Sequence, residues 1–136
     1  MRYSAGYKYQ LAESCTVTMP DLPVRTREID TDYIWLGDAN LLIIKKGYAW
    51  DGPSGPTIDT KDFMRGSLVH DALYQLIRGN HLDKNEYRVL ADKELYRICR
   101  EDGMSWVRAN VVYYTLRVFG NPAARPEADH KVIDAP

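Results

Sequence analysis

A stretch rich in glycine and proline, GYAWDGPSGPT at residues 47–57, separates two parts of this chain that have different hydrophobic patterns. Its three glycines and two prolines are incompatible with a regular helix or strand, so the segment predicts a loop. Short apolar runs precede it, whereas apolar residues after Asp59 recur with nearly helical spacing. The chain is therefore predicted to be α+β, with an N-terminal antiparallel β portion followed by three helices.

The β-rich portion is expected to cover residues 1–47. Its clearest signal is the pair of runs YIWL (33–36) and LLII (41–44), which flank the turn-forming residues GDAN (37–40). Two β-rich runs joined by a short turn predict a hairpin. Shorter β runs, separated by Pro20, Pro23 and polar residues, are predicted at Tyr3–Leu11, Cys15–Met19 and Arg25–Ile29.

Three helices are predicted in residues 60–120. The first ends at Gly79, and the second begins at Asp83, where Glu86 three residues later completes a capping box. The second helix ends before Gly103, and Ser105 caps a third helix that runs from 106 to 119.

The third helix carries an apolar stripe at helical spacing. Val107, Val111, Tyr114 and Val118 share one face. Such a stripe is more often packed in a core than exposed as a binding face, so core packing is predicted.

Length and composition predict one domain over residues 1–120, with a loop at 48–59 and an extended tail at 121–136. A net charge of −1 without a basic stripe argues against nucleic-acid binding. No run has the length and apolarity of a transmembrane segment, and no signal peptide is recognisable. Two cysteines, Cys15 and Cys99, argue against a disulfide framework and favour a reducing compartment.

The motif LVHDALY (68–74) holds the main candidates for chemistry. On a helix, His70 and Tyr74 share a face, while Asp71 points about 100° away. Asp92 lies on the next helix, eleven residues after the linker centre at His81, and His70 lies eleven residues before it. An antiparallel hairpin brings such residues level, which predicts a hydrogen bond between His70 and Asp92. A carboxylate fixes the imidazole tautomer, leaving the other nitrogen able to act as a general base towards water.

Other interpretations of the same residues stay open. Arg88 lies four residues before Asp92 and can form an ordinary surface ion pair with it. His70 can also be a core residue without a catalytic role. A metal phosphohydrolase of the His-Asp type is disfavoured because no histidine precedes His70, and the ligand spacing for zinc is missing.

The glycine- and proline-rich loop and Asp71 suggest a cation site. Calcium binds carboxylates together with the backbone carbonyls of bent loops, and this loop carries its own carboxylate, Asp51. A calcium ion held there would lie near His70 and could polarise a carbonyl or phosphoryl oxygen.

Two family resemblances involve these motifs. YAWDGPSGP (48–56), LVHDALY and the Ala91-Asp92 pair look like a phage and prophage family catalogued as domain of unknown function 1353. HDALY and ADKELYRIC (91–99) resemble prokaryotic members of the phospholipase A₂ superfamily. This second resemblance implies that His70 activates water and that Asp92 orients it, with Tyr74 as a supporting donor. It also implies that Asp71 binds calcium together with the loop residues, here Trp50, Asp51 and Gly52.

The expected function is a phage- or prophage-encoded hydrolase that cleaves a phospholipid or another ester, located in the host cytoplasm or the virion. The alternative is a non-enzymatic structural or assembly protein of the virion, such as a tail protein, that contacts other phage structural proteins and keeps the helical hairpin as a scaffold.

Overall fold

The computed structural model describes residues 1, 3–4, 9–25, 27–50 and 60–119 of the chain. An antiparallel β region with two sheets precedes three helices, which confirms the predicted α+β class. The β portion up to residue 51 and the helical portion from residue 52 form two compact units. The expectation that residues 1–120 form one domain stays a prediction, and the tail at 121–136 lies outside the described residues.

The β unit contains two antiparallel sheets. The first has the strand order β1-β2-β7, with β1 at Tyr3–Ser4, β2 at Tyr9–Leu11 and β7 at Ala49–Trp50. The second has the order β3-β6-β5-β4, with β3 at Cys15–Thr18, β4 at Ile29–Asp30, β5 at Ile34–Leu36 and β6 at Leu41–Ile44.

The predicted hairpin is confirmed as β5 and β6, which pair in the register Ile34 with Ile44 and Leu36 with Leu42. All four of these side chains are buried. The chain turns through Asn40, whose φ of 62° is left-handed. The Asn40 side-chain amide also donates to the carbonyls of Leu22 and Pro23, at 2.9 and 3.0 Å, so the turn residue holds the preceding loop in place.

Three β segments differ from the sequence prediction. The run predicted at Tyr3–Leu11 contains two strands, β1 and β2, which pair with each other in antiparallel fashion. The run predicted at Arg25–Ile29 becomes β4 only at Ile29, which pairs with Leu36. Ala49 and Trp50, which were predicted to belong to the loop at 48–59, instead pair with β2 as strand β7, and residues 51–59 lie outside the described residues. Trp50 is buried and its ring lies 5.6 Å from that of Tyr9, so side-chain packing extends the sheet up to the first residue of the WDGP sequence.

The three predicted helices are confirmed as α1 at Lys61–Arg78, α2 at Lys84–Glu101 and α3 at Trp106–Phe119. The Asp83 carboxylate accepts a hydrogen bond from the Glu86 backbone N–H at 2.9 Å, as an N-cap does. The Ser105 hydroxyl accepts from the Arg108 N–H at 3.2 Å. After α1 the chain reverses at Asn80, which has a φ of 64°, so α1 and α2 pack as a hairpin.

The prediction that the stripe on α3 packs in the core is wrong. Val107, Val111, Tyr114 and Val118 are between 56% and 68% exposed, while Ala109 and Val112 are buried against Phe63, Leu95, Cys99 and Met104. Apolar residues occur on both faces of α3, so periodicity alone could not decide which face is buried. No described helix is long and apolar enough to cross a membrane.

Candidate active site

The helical hairpin brings His70 and Asp92 into direct contact. His70 lies in the middle of α1 and Asp92 in the middle of α2, and His70 Nε2 is 2.6 Å from Asp92 Oδ1. Asp92 is fully buried and the His70 side chain is 8% exposed. The predicted hydrogen bond is therefore confirmed, while the catalytic role of the two residues stays a prediction.

Tyr74 binds the same carboxylate oxygen. Its hydroxyl donates to Asp92 Oδ1 at 2.7 Å, and its ring lies 4.1 Å from the His70 ring, centroid to centroid. His70 and Tyr74 are one helical turn apart on α1, so both side chains reach α2 from the same face. The predicted position of Tyr74 as a supporting donor agrees with this geometry.

The third helix supplies a partner for Asp92 that the sequence analysis missed. Arg117 Nη1 donates to Asp92 Oδ2 at 2.6 Å. The buried carboxylate on α2 thus accepts hydrogen bonds from two residues of α1 and one residue of α3, and so links all three helices. The available sequence signal was that Arg117 is the only charged residue between Ala109 and Phe119.

The environment keeps Asp92 ionised. Burial acts to raise the pKa of Asp92, but the hydrogen bond and charge of His70, with the bonds from Tyr74 and Arg117, outweigh it and hold this pKa below its usual range. Burial and the nearby Asp92 charge raise the pKa of Tyr74 well above its usual range, so the tyrosine keeps its proton and donates.

This arrangement fixes the tautomer of His70. Because an ionised Asp92 is an acceptor, the proton between the two side chains belongs to His70 Nε2, and a neutral ring carries its lone pair on Nδ1. Within the described part of the chain, the ring makes no hydrogen bond besides the one to Asp92. Nδ1 is therefore the atom that can accept a proton from water.

The residues predicted to bind a metal are not all described. Asp71 lies partly exposed on α1, and Trp50 is buried in β7 of the other compact unit. Asp51 and Gly52 lie outside the described residues. Among the described residues no group of three or more His, Cys, Asp and Glu side chains could hold a metal ion. Calcium binding stays a prediction.

Within the described part of the chain, Arg88 forms no hydrogen bond or ion pair with Asp92, so the surface ion pair that its spacing allowed is not formed. Asp92 is fully buried, and its oxygens accept from His70, Tyr74 and Arg117. Arg117 rather than Arg88 is therefore the counter-ion that the fold provides.

No protein-family model, curated protein or solved structure matches this chain. The two resemblances drawn from its motifs therefore stay predictions.

Proposed function

We propose that this protein is an ester hydrolase in which His70 activates a water molecule, as in the phospholipase A₂ superfamily that its motifs resemble. The observation that carries the proposal is the 2.6 Å hydrogen bond between His70 Nε2 and the buried carboxylate of Asp92. It orients the ring, fixes its tautomer and prepares the site for a positive charge on the ring.

The proposed reaction uses the other ring nitrogen. Nδ1 of His70 takes a proton from water while the water oxygen attacks the ester carbonyl, and Asp92 stabilises the imidazolium ion that forms. The tetrahedral intermediate then collapses, the bond to the leaving alkoxide breaks, and the imidazolium returns the proton to that oxygen. Tyr74 and Arg117 hold the Asp92 carboxylate in place and are positioning residues.

Calcium, if it binds, would supply positive charge to polarise the ester carbonyl. Asp71 fits this role chemically, because it is a carboxylate one residue after the proposed base and is partly exposed. Of the loop residues proposed to complete the site, Trp50 is buried in β7 and Asp51 and Gly52 are outside the described part of the chain, so no step of the reaction is assigned to calcium.

The test is hydrolysis of short-chain phospholipid micelles in the presence of calcium. His70→Ala should lower the initial rate by at least about 100-fold, because alanine cannot accept a proton. His70→Gln should lose activity equally while its amide still donates to Asp92, which separates catalysis from folding. His81→Ala is the matched control, since His81 is exposed in the linker after α1. A wild type without turnover, with a clearly lower melting temperature for His70→Ala, would reject the enzyme in favour of a structural role.

A second candidate is a non-enzymatic assembly protein of a phage particle. The observation that favours it is the exposed apolar face of α3, formed by Trp106, Val107, Val111, Tyr114 and Val118. Exposed apolar patches of this kind often mark protein contacts. In that case the buried network at Asp92 serves only to lock the three helices together, and substitutions in it change stability without affecting any turnover.

A further inference from the structure

A second cationic side chain, that of Arg88, has a buried nitrogen to which no described residue is hydrogen-bonded. Arg88 is on α2, one helical turn before Asp92, so the two residues share a face of the helix. Its Nη1 atom is buried, and among the described residues it has no hydrogen-bond partner. Buried polar groups are bonded in the great majority of cases, so an unbonded guanidinium N–H calls for an explanation.

The nearest carboxylate on the same helix face is already occupied. Asp92 Oδ1 accepts from His70 and Tyr74, and Asp92 Oδ2 accepts from Arg117. The charge of Arg88 acts on the Tyr74 hydroxyl, where it opposes the larger effect of burial on the pKa of that group. Arg88 therefore lies within electrostatic reach of the site, yet the site gives it no anionic partner of its own.

Arginine is suited to a particular class of ligand. The planar guanidinium group stays charged at all relevant pH values and presents parallel N–H donors that match the oxygens of a phosphate or carboxylate. A buried donor without a hydrogen bond is unfavourable, and an anion bound to it supplies the missing acceptor.

We propose that Arg88 binds a phosphate oxyanion next to the His70–Asp92 pair. The ligand class is a phosphate group, either free or carried by an organic ester. This inference does not depend on turnover, because it rests on the unbonded Arg88 donor and on the occupied oxygens of Asp92.

The test is a calorimetric titration of the full chain with inorganic phosphate, at constant ionic strength set with chloride so that screening does not change. The wild type should show saturable binding. Arg88→Gln should weaken it by about 10- to 100-fold, which corresponds to the loss of a charge-assisted hydrogen bond. Arg88→Lys keeps the charge but loses the planar donors, so it should bind with intermediate affinity.

Lys93→Gln is the matched control. Lys93 is an exposed residue of the same helix, and its substitution removes the same charge without touching the site. It should bind phosphate as the wild type does. Thermal melts of all variants show whether they are folded, and Arg88→Lys keeps the proposal testable if Arg88→Gln is unstable.

Two further titrations identify the source of the phosphate. Tighter binding of glycerol 3-phosphate or glycerophosphocholine than of inorganic phosphate assigns the position to an organic ester, and binding of inorganic phosphate alone assigns it to the free ion. His70→Ala should retain phosphate binding, so a failure of the proposed hydrolysis leaves this result intact. No saturable binding to the wild type, or equal binding by Arg88→Gln, would overturn the inference.

Discussion

Replacing Asp92 by asparagine removes the charge on which three donors converge while keeping the shape of the side chain. His70 Nε2, Tyr74 Oη and Arg117 Nη1 lie 2.6, 2.7 and 2.6 Å from the carboxylate oxygens. The asparagine oxygen can still accept from His70 and Tyr74, but its amide nitrogen is a donor and faces the guanidinium group of Arg117. The variant therefore loses one hydrogen bond outright and weakens two.

The magnitude follows from burial. A hydrogen bond to a charged group contributes about 1.5–3 kcal/mol and a neutral one about 0.5–1.5 kcal/mol, and removing one partner of a buried ion pair costs about 3–5 kcal/mol. The Arg117 side chain is 28% exposed, so water can partly solvate its guanidinium group once the carboxylate is gone. The lower end of the 3–5 kcal/mol range therefore applies. We expect Asp92→Asn to lower the free energy of unfolding by about 3 kcal/mol, which is a fall of roughly 10 °C in Tm for a chain of this size.

The measurement is urea unfolding at neutral pH, followed by circular dichroism. Glu101→Gln is the matched control, because it neutralises another α2 carboxylate whose ion pair with Arg65 is exposed. Exposed pairs contribute about 0–1 kcal/mol, so this control should stay close to the wild type. In a double-mutant cycle, Arg117→Met should cost much less in the Asp92→Asn background than in the wild type.

Equal stability of the Asp92→Asn and Glu101→Gln variants would refute this reasoning, because it would mean that the buried carboxylate contributes no more than an exposed one. Additive effects of Asp92→Asn and Arg117→Met would refute the assignment of Arg117 as its counter-ion.

Three further outcomes are expected. The pKa of Asp92 is lower in the folded protein than in the unfolded chain, so the contribution of this carboxylate to the free energy of unfolding is complete above about pH 4 and is lost as the pH falls further. Acid unfolding of the Asp92→Asn variant should lack this pH-dependent contribution. Gly66→Ala places a Cβ 2.7 Å from Cys99 Sγ and should lower the free energy of unfolding by about 1–3 kcal/mol. In a Cys99→Ala background the same change should stabilise α1, because alanine has the higher helix propensity, and equal shifts of the melting temperature in both backgrounds would contradict this. Calorimetry with calcium should show binding that Asp71→Asn weakens strongly, and no heat with the wild type at millimolar calcium would remove the metal from the proposal.

Cys99 illustrates how burial also limits reactivity. It lies on α2, buried against residues of α1 and α3, and burial raises the pKa of its thiol to about 12. The thiolate is the reactive form, so this cysteine is inert at neutral pH. Cys99 therefore acts as a core residue of the helical unit.

Local sequence signals were sufficient for most of the architecture. The turn residues between β5 and β6, the N-cap residues Asp83 and Ser105, and the breaks at Gly79 and Gly103 act on their immediate neighbours, so their effect can be read from a few adjacent positions. The pairing of His70 with Asp92 was also predictable, because a short linker between two helices fixes which residues come level.

The tertiary structure decided the remaining features, because they depend on which surfaces meet. Apolar residues lie on both faces of α3, and only its packing against α2 determines that Ala109 and Val112 are buried while Val111 and Tyr114 are exposed. The same docking brings Arg117 to Asp92 and leaves Arg88, the closer residue in sequence, without that partner. A pairing between residues 25 positions apart on different helices follows from the angle and depth at which the helices pack, which no local pattern in the sequence encodes.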